Sequence, residues 1–104
     1  MVQEQTLPAP VETTESETRV RLAPQWKVLF HNDEITTMDF VVSALMRYYG
    51  HSFVEAYRIM MTVHTSGVGL AGVYPREVAE LKQEQTISAA RPTYPLQVTI
   101  EPDE

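Results

Sequence analysis

The sequence predicts an α+β domain: a two-layer sandwich in which a three-stranded antiparallel sheet carries three helices on one face, in the order β-α-α-β-α-β. Residues 26–31 and 96–100 alternate side-chain type with a period of two, which is typical of strands. Residues 36–50 and 52–67 each begin with Thr or Ser and end on glycine, which is typical of helices. A chain of 104 residues with 43% hydrophobic content has room for one such core.

The amino-terminal segment differs in composition from the rest of the chain. Residues 1–22 are rich in Glu, Thr, Gln and Pro and contain no aromatic residue, so they have too little apolar surface to offset their ordering entropy. We therefore expect a flexible acidic extension over 1–22 and a core domain over 23–104. A passive solubilising tail is the simpler interpretation of such an extension.

The first strand and the first helix are separated by a polar turn. Apolar side chains fall on both faces of residues 26–31, which indicates a central or well-covered strand. Thr36 is predicted to be the N-cap of the helix that follows, with Asp39 as the acidic half of a capping box. Gly50 is the predicted end of that helix.

The second helix and second strand follow directly. Ser52 and Glu55 form a second predicted capping box, and Gly67 ends the helix. The predicted core face of this helix is Ala56, Ile59, Met60 and Val63. Residues 68–74 are apolar and contain glycine, which suits a strand that another backbone approaches closely.

The last helix and strand are marked by prolines. Pro75 is predicted at the first helical position, with Glu77 in the first turn and the helix continuing toward Ser88. Residues 90–95 contain two prolines and predict an irregular segment, and residues 96–100 predict the final strand.

Charge and cysteine content exclude several classes of function. The net charge is −6, and the eight Lys and Arg residues are scattered singly, which argues against nucleic-acid binding. The absence of cysteine removes disulfides, thiolate catalysis and cysteine zinc sites, and fits a reducing compartment. No signal peptide is seen, and no apolar stretch approaches the ~20 residues of a membrane span. We expect a cytoplasmic protein, with a plastid stroma as the alternative.

The polar turn and the second helix contain the candidate binding residues. Asn32 and Asp33 offer oxygen acceptors where a strand ends and a helix begins, although the same pair is a common turn former. His64 lies near the carboxyl end of a helix, where a histidine commonly has a structural role. Met38 and Met60 can be core residues or the walls of an adaptable pocket.

Three motifs in order resemble the ClpS family of Clp protease adaptors. They are W-K-V-x-x-x-N-D-x-x-T-x-M-x-F-V from Trp26, M-x-x-V-H-x-x-G-x-x-x-x-G-V-Y from Met60, and x-x-E-V-A-E-x-K from Pro75. The resemblance extends from Trp26 to Ile100. It implies an adaptor, not an enzyme, that needs no cofactor or metal.

The resemblance also implies ligands and partners. A member of this family binds peptides whose first residue is bulky and hydrophobic (Leu, Phe, Tyr or Trp) and delivers them to a ClpA- or ClpC-type unfoldase. By motif position, the peptide α-amino group is held by Asn32, Asp33 and His64. The pocket for the first side chain is lined by Ile35, Thr36, Met38, Val41, Met60, Val63 and Leu96. The residues that face the amino-terminal domain of the unfoldase are Glu77 and Lys82, for which a solvated helix face is the competing interpretation.

Two other classes of function compete with the adaptor interpretation. A small metallo-hydrolase would use His31, Asp33 and His64, but the chain has no helical His pair and no nucleophile elbow. A structural interaction domain with the fold of the ribosomal stalk protein's carboxyl-terminal domain would share the architecture without binding amino termini.

Overall fold

The computed structural model describes residues 23–104, and the predicted extension over 1–22 lies outside the described residues. Its elements follow the predicted order β-α-α-β-α-β: β1 (Gln25–His31), α1 (Met38–Tyr49), α2 (Phe53–Ser66), β2 (Val68–Pro75), α3 (Arg76–Ala90) and β3 (Gln97–Pro102). The predicted fold class is confirmed.

β1 is the central strand of the sheet, as its apolar content on both faces predicts. The strand order is β2-β1-β3, and both pairings are antiparallel. Val28 and Phe30 are fully buried and join residues of all three helices in one core, while the intervening Leu29 and the flanking Lys27 are only half-buried. Alternate residues of a strand point to opposite faces, so the helices cover one face of the sheet.

Gly69 in β2 allows α2 to pack closely on the sheet. A Cβ at this position would lie 2.6 Å from Cγ2 of Val63, and 3.4 Å from the carbonyl oxygen of Ile59. A larger residue would therefore push α2 away from the strand. The close approach predicted from the glycines of residues 68–74 is present.

The predicted N-cap of α1 is wrong by one residue. Thr37, not Thr36, accepts the hydrogen bond from the Phe40 backbone amide, at 3.1 Å. The Thr36 hydroxyl instead faces the turn and donates to the Asp33 carboxylate at 2.7 Å. Gly50 ends the helix in the left-handed conformation, with φ 71°, as predicted.

α2 begins and ends where the sequence predicts. The Ser52 side chain accepts from the Glu55 amide at 3.2 Å, and Gly67 ends the helix with φ 91°. The Glu55 carboxylate, however, pairs with Arg58 one turn along the helix. The predicted core face is buried in full: Ala56, Ile59, Met60 and Val63.

α3 differs from prediction at both ends. Pro75 is the last residue of β2 and the N-cap of α3, because its ψ of 153° keeps it extended and it pairs with Gln25. The helix continues to Ala90, two residues beyond Ser88. Leu96 is buried but precedes β3, which starts at Gln97.

Candidate functional site

A cavity of about 390 Å³ lies where β1 ends, between the turn that follows it and helices α1 and α2. It combines acidic and amide groups from the turn with apolar groups from the helices. Its lining residues are Asn32, Asp33, Glu34, Thr36, Met38, Val41, Met60, Val63 and His64. Residues 32–41 and 60–64 are separate in the sequence and come together only in the folded domain.

The Asp33 carboxylate organises the turn. One of its oxygens accepts from the backbone amides of Ile35, at 2.8 Å, and Thr36, at 2.6 Å. The other accepts from the Thr36 hydroxyl at 2.7 Å. Asp33 therefore forms the turn, which is the role that is common for this residue type between a strand and a helix.

The same hydrogen bonds keep Asp33 negatively charged. Burial alone would raise the pKa of its carboxyl group, but the hydrogen bonds from Thr36 and Ile35 and the charge of Arg91 outweigh it. The pKa of Asp33 is therefore below its usual range. A carboxylate oxygen accepts more than one hydrogen bond, so this anion can still bind a cationic group in the cavity.

Asn32 and His64 are the other polar groups at the cavity. The Asn32 backbone amide donates to the carbonyl oxygen of Gly67 at 2.9 Å, which ties the end of β1 to the end of α2. Both side chains are exposed, and neither has a hydrogen-bond partner within residues 23–104. Both are thus free to hydrogen-bond with a ligand.

The apolar wall has a fixed part and an exposed part. Val41, Met60 and Val63 belong to the core and are 3–6% exposed, so their positions are set by packing. Met38, at the first position of α1, is 43% exposed and forms the rim. A flexible thioether at a rim can adjust to side chains of different shape.

Two predicted pocket residues do not line this cavity. Ile35 is 63% exposed, because the turn closed by Asp33 directs its side chain outward. Leu96 is 1% exposed and lies in the hydrophobic core. Conversely, Glu34 lines the cavity although it was not among the predicted site residues. Its place in the run Asn-Asp-Glu was the only signal for it in the sequence.

The two residues predicted to face an unfoldase lie on α3, away from the cavity. Glu77 is exposed in the first turn of the helix. Lys82 is half-buried, and its Nζ donates to the carbonyl oxygen of Tyr48, at 2.6 Å. Lys82 therefore binds the carboxyl end of α1, where a positive charge is favourable.

The described part of the chain offers no metal centre. Within residues 23–104 no group of three or more His, Asp or Glu side chains is placed to hold a metal ion. His31 does not line the cavity, and its Nε2 lies 2.8 Å from the hydroxyl of Thr99.

Within residues 23–104 no helix is both long and apolar enough to cross a membrane.

Comparisons with known proteins agree on one family. The family model described as "ATP-dependent Clp protease adaptor protein ClpS" matches residues 21–99. A ClpS adapter protein of Desulfatibacillum aliphaticivorans is 48% identical over 93 residues, which are 88% of this chain and 86% of that protein. One of Caulobacter vibrioides is 46% identical over 91 residues, covering 86% and 84%.

A solved structure agrees in fold and in sequence. Agrobacterium tumefaciens ClpS2 bound to L-phenylalaninamide superposes with a TM-score of 0.74 at 31% identity. The match covers 77% of this chain and 98% of that one.

Proposed function

The chain belongs to the ClpS family of ATP-dependent Clp protease adaptor proteins, and we propose that it captures proteins by their first residue and delivers them for degradation. The recognised feature is a free α-amino group joined to a bulky hydrophobic side chain, as in Leu, Phe, Tyr or Trp. The alternative of a stalk-like interaction domain is not favoured by these relatives.

One observation carries this proposal. The cavity beside β1 presents an anionic carboxylate, an amide and an imidazole next to an apolar wall in a single space of about 390 Å³. Pockets for small ligands typically have volumes of about 300–1,000 Å³, with a few polar groups that fix orientation. The first residue of a peptide has a polar α-amino group and, when its side chain is bulky and hydrophobic, an apolar group as well.

The polar part of the cavity suits an ammonium group. A peptide α-amino group has a pKa near ~8, so at neutral pH it is a compact cation with three hydrogen donors. We assign its binding to Asp33, Asn32 and His64, which supply a carboxylate, an amide oxygen and an imidazole nitrogen. Glu34 adds a second negative charge at the same cavity.

The apolar part suits the first side chain. Val41, Met60 and Val63 form a buried wall, and Thr36 and Met38 border it. The ligand of the Agrobacterium relative, L-phenylalaninamide, has a free amino group, a benzyl side chain and an amide in place of a carboxylate. It therefore has the groups of a first residue within a peptide, and we assign the same kind of ligand to this chain.

Neither half of the site should suffice alone. Charge-assisted hydrogen bonds contribute about 1.5–3 kcal/mol each, and burial of a Leu or Phe side chain contributes about 1.5–3 kcal/mol. After the cost of association, the sum corresponds to roughly micromolar binding, near −8 kcal/mol. An internal Leu lacks the ammonium group, and an amino-terminal Ser lacks the apolar group, so both should bind far more weakly.

Delivery requires a second surface, which we place on α3. We propose that Glu77 and Lys82 face the amino-terminal domain of a ClpA- or ClpC-type unfoldase, with residues 1–22 as an extension that engages the unfoldase and 23–104 as the adaptor core. The chain then acts by binding alone, without catalysis of its own, in the compartment of its protease, which we take to be the cytoplasm.

A reconstituted degradation assay tests delivery. A folded reporter with Phe as its first residue should be degraded by a Clp unfoldase and peptidase faster in the presence of this chain, and a Ser-first reporter should not. Glu77→Lys should reduce delivery while peptide binding is retained, and Glu84→Lys, an exposed change on the same helix, should have little effect. Equal degradation of the Phe-first reporter with and without the chain would contradict the proposal.

A further inference from the structure

A second cavity, of about 650 Å³, continues from the first along the exposed face of α1 and α2. We call it the α1/α2 groove. Met38 and Met60 line both cavities, so the two cavities adjoin at these side chains. From there the groove extends past Met46 on α1 and past Tyr57 on α2.

The groove leads away from the pocket in a defined direction. α1 and α2 contact each other and are joined by residues 50–52, so they run antiparallel. α1 begins at the pocket, and α2 ends there. The groove therefore points from the pocket toward the link between the helices. Met38 and Met46 are about 12 Å apart along the helix axis, the length of three or four extended residues.

The surface of the groove is apolar and exposed. Met46 is 41% exposed, Tyr57 is 49% exposed and Phe53 is 59% exposed. Charged groups border it only at Asp39, near the pocket, and Arg47, near the far end. Contiguous exposed apolar surface favours contact with apolar side chains, and flexible methionines suit side chains of varied shape.

We propose that the α1/α2 groove binds the third residue of the captured peptide and prefers an apolar side chain there. The inference rests on the proposed function, because the peptide is delivered to the groove by the binding of its first residue. In an extended chain, alternate side chains face the same side, about 7 Å apart. When the first side chain enters the pocket, the second points away and the third points back toward the helices.

Recognition then depends on more than the first residue. A peptide with Phe first and Leu third has apolar groups for both cavities, whereas one with Ser third leaves the groove exposed to water. Because the groove is open, only part of the Leu side chain is buried, and we expect the Leu peptide to bind about fivefold more tightly.

Anisotropy titrations of the full chain test this inference. The peptides carry a carboxyl-terminal fluorophore and start with Phe-Ser-Leu or Phe-Ser-Ser. The double variant Met46→Ala/Tyr57→Ala removes side chains from both walls of the groove, and alanine preserves helix propensity. We expect it to reduce the affinity ratio from about fivefold to below about twofold. Val54→Ala is the matched control, because Val54 is 77% exposed on α2 and does not line the groove.

The outcomes separate this inference from the proposed function. A ratio near one for the original chain, or an equal ratio in the double variant, would overturn the groove assignment while dependence on the free amino group remains. If acetylated Phe-Ser-Leu bound as tightly as the free peptide, the first-residue site itself would be wrong, and the inference with it.

Discussion

Replacing Asp33 separates its observed role as a turn former from its proposed role as the anion that binds an ammonium group. Asp33→Asn removes the negative charge but keeps a carbonyl oxygen that can accept from the amides of Ile35 and Thr36. Asp33→Ala removes the charge and all three hydrogen bonds that close the turn. Comparing the original chain with Asp33→Asn therefore isolates the contribution of the charge, and comparing Asp33→Asn with Asp33→Ala isolates that of the turn hydrogen bonds.

The magnitudes follow from these contacts. Exchanging a charge-assisted hydrogen bond for a neutral one costs about 1.4 kcal/mol, so Asp33→Asn should weaken binding of a Phe-first peptide about tenfold. Asp33→Ala also distorts the positions of its neighbours, and we expect a loss of about 100-fold in affinity. Loss of the turn should lower the free energy of unfolding by about 1–2 kcal/mol in the alanine variant only.

Fluorescence anisotropy gives the affinities, and thermal unfolding gives the stabilities. Glu34→Gln is the matched control, because Glu34 lines the same cavity from an exposed position, and we expect less than a threefold change, roughly the value of an exposed charge. If Asp33→Asn bound the peptide as tightly as the original chain, Asp33 would be a turn former alone and the reasoning would be refuted.

Three further predictions concern Asn32, His64 and the amino-terminal segment. Asn32→Ala should weaken binding about tenfold without changing the melting temperature, because the exposed side-chain amide is removed while the backbone hydrogen bond to Gly67 stays. A loss of stability equal to the loss of binding free energy would contradict this. His64→Ala should weaken binding about tenfold, because it removes an exposed side chain that lines the cavity. Unchanged affinity in this variant would exclude His64 from the site. Deletion of residues 1–22 should preserve peptide affinity and slow degradation of a Phe-first reporter, and equal degradation rates would make the segment a passive tail.

The element order and most of the fold could be predicted from local signals. Gly50, Ser52 and Gly67 specify their own helix ends, because a left-handed residue or a capping hydroxyl acts within one turn. The N-cap of α1 could not be predicted in this way. Thr36 and Thr37 are equivalent by pattern, and only the folded turn determines that Thr36 faces Asp33 and Thr37 faces the Phe40 amide.

The grouping of most cavity residues was predictable from motif positions, but the geometry of the cavity was not. Nothing in the sequence showed that the turn would direct Ile35 into solvent or that Leu96 would be enclosed by the core. The second cavity was also not predictable, because Met46 and Tyr57 come from different helices and meet only when α1 and α2 pack together.

The requirement for a free amino terminus is the central claim. It is tested by the dissociation constants of one Phe-first peptide with its α-amino group either free or acetylated. Acetylation removes the positive charge and two of the three donors, so we expect binding at least about 100-fold weaker, equal to about 3 kcal/mol. Equal dissociation constants for the two peptides would contradict the account.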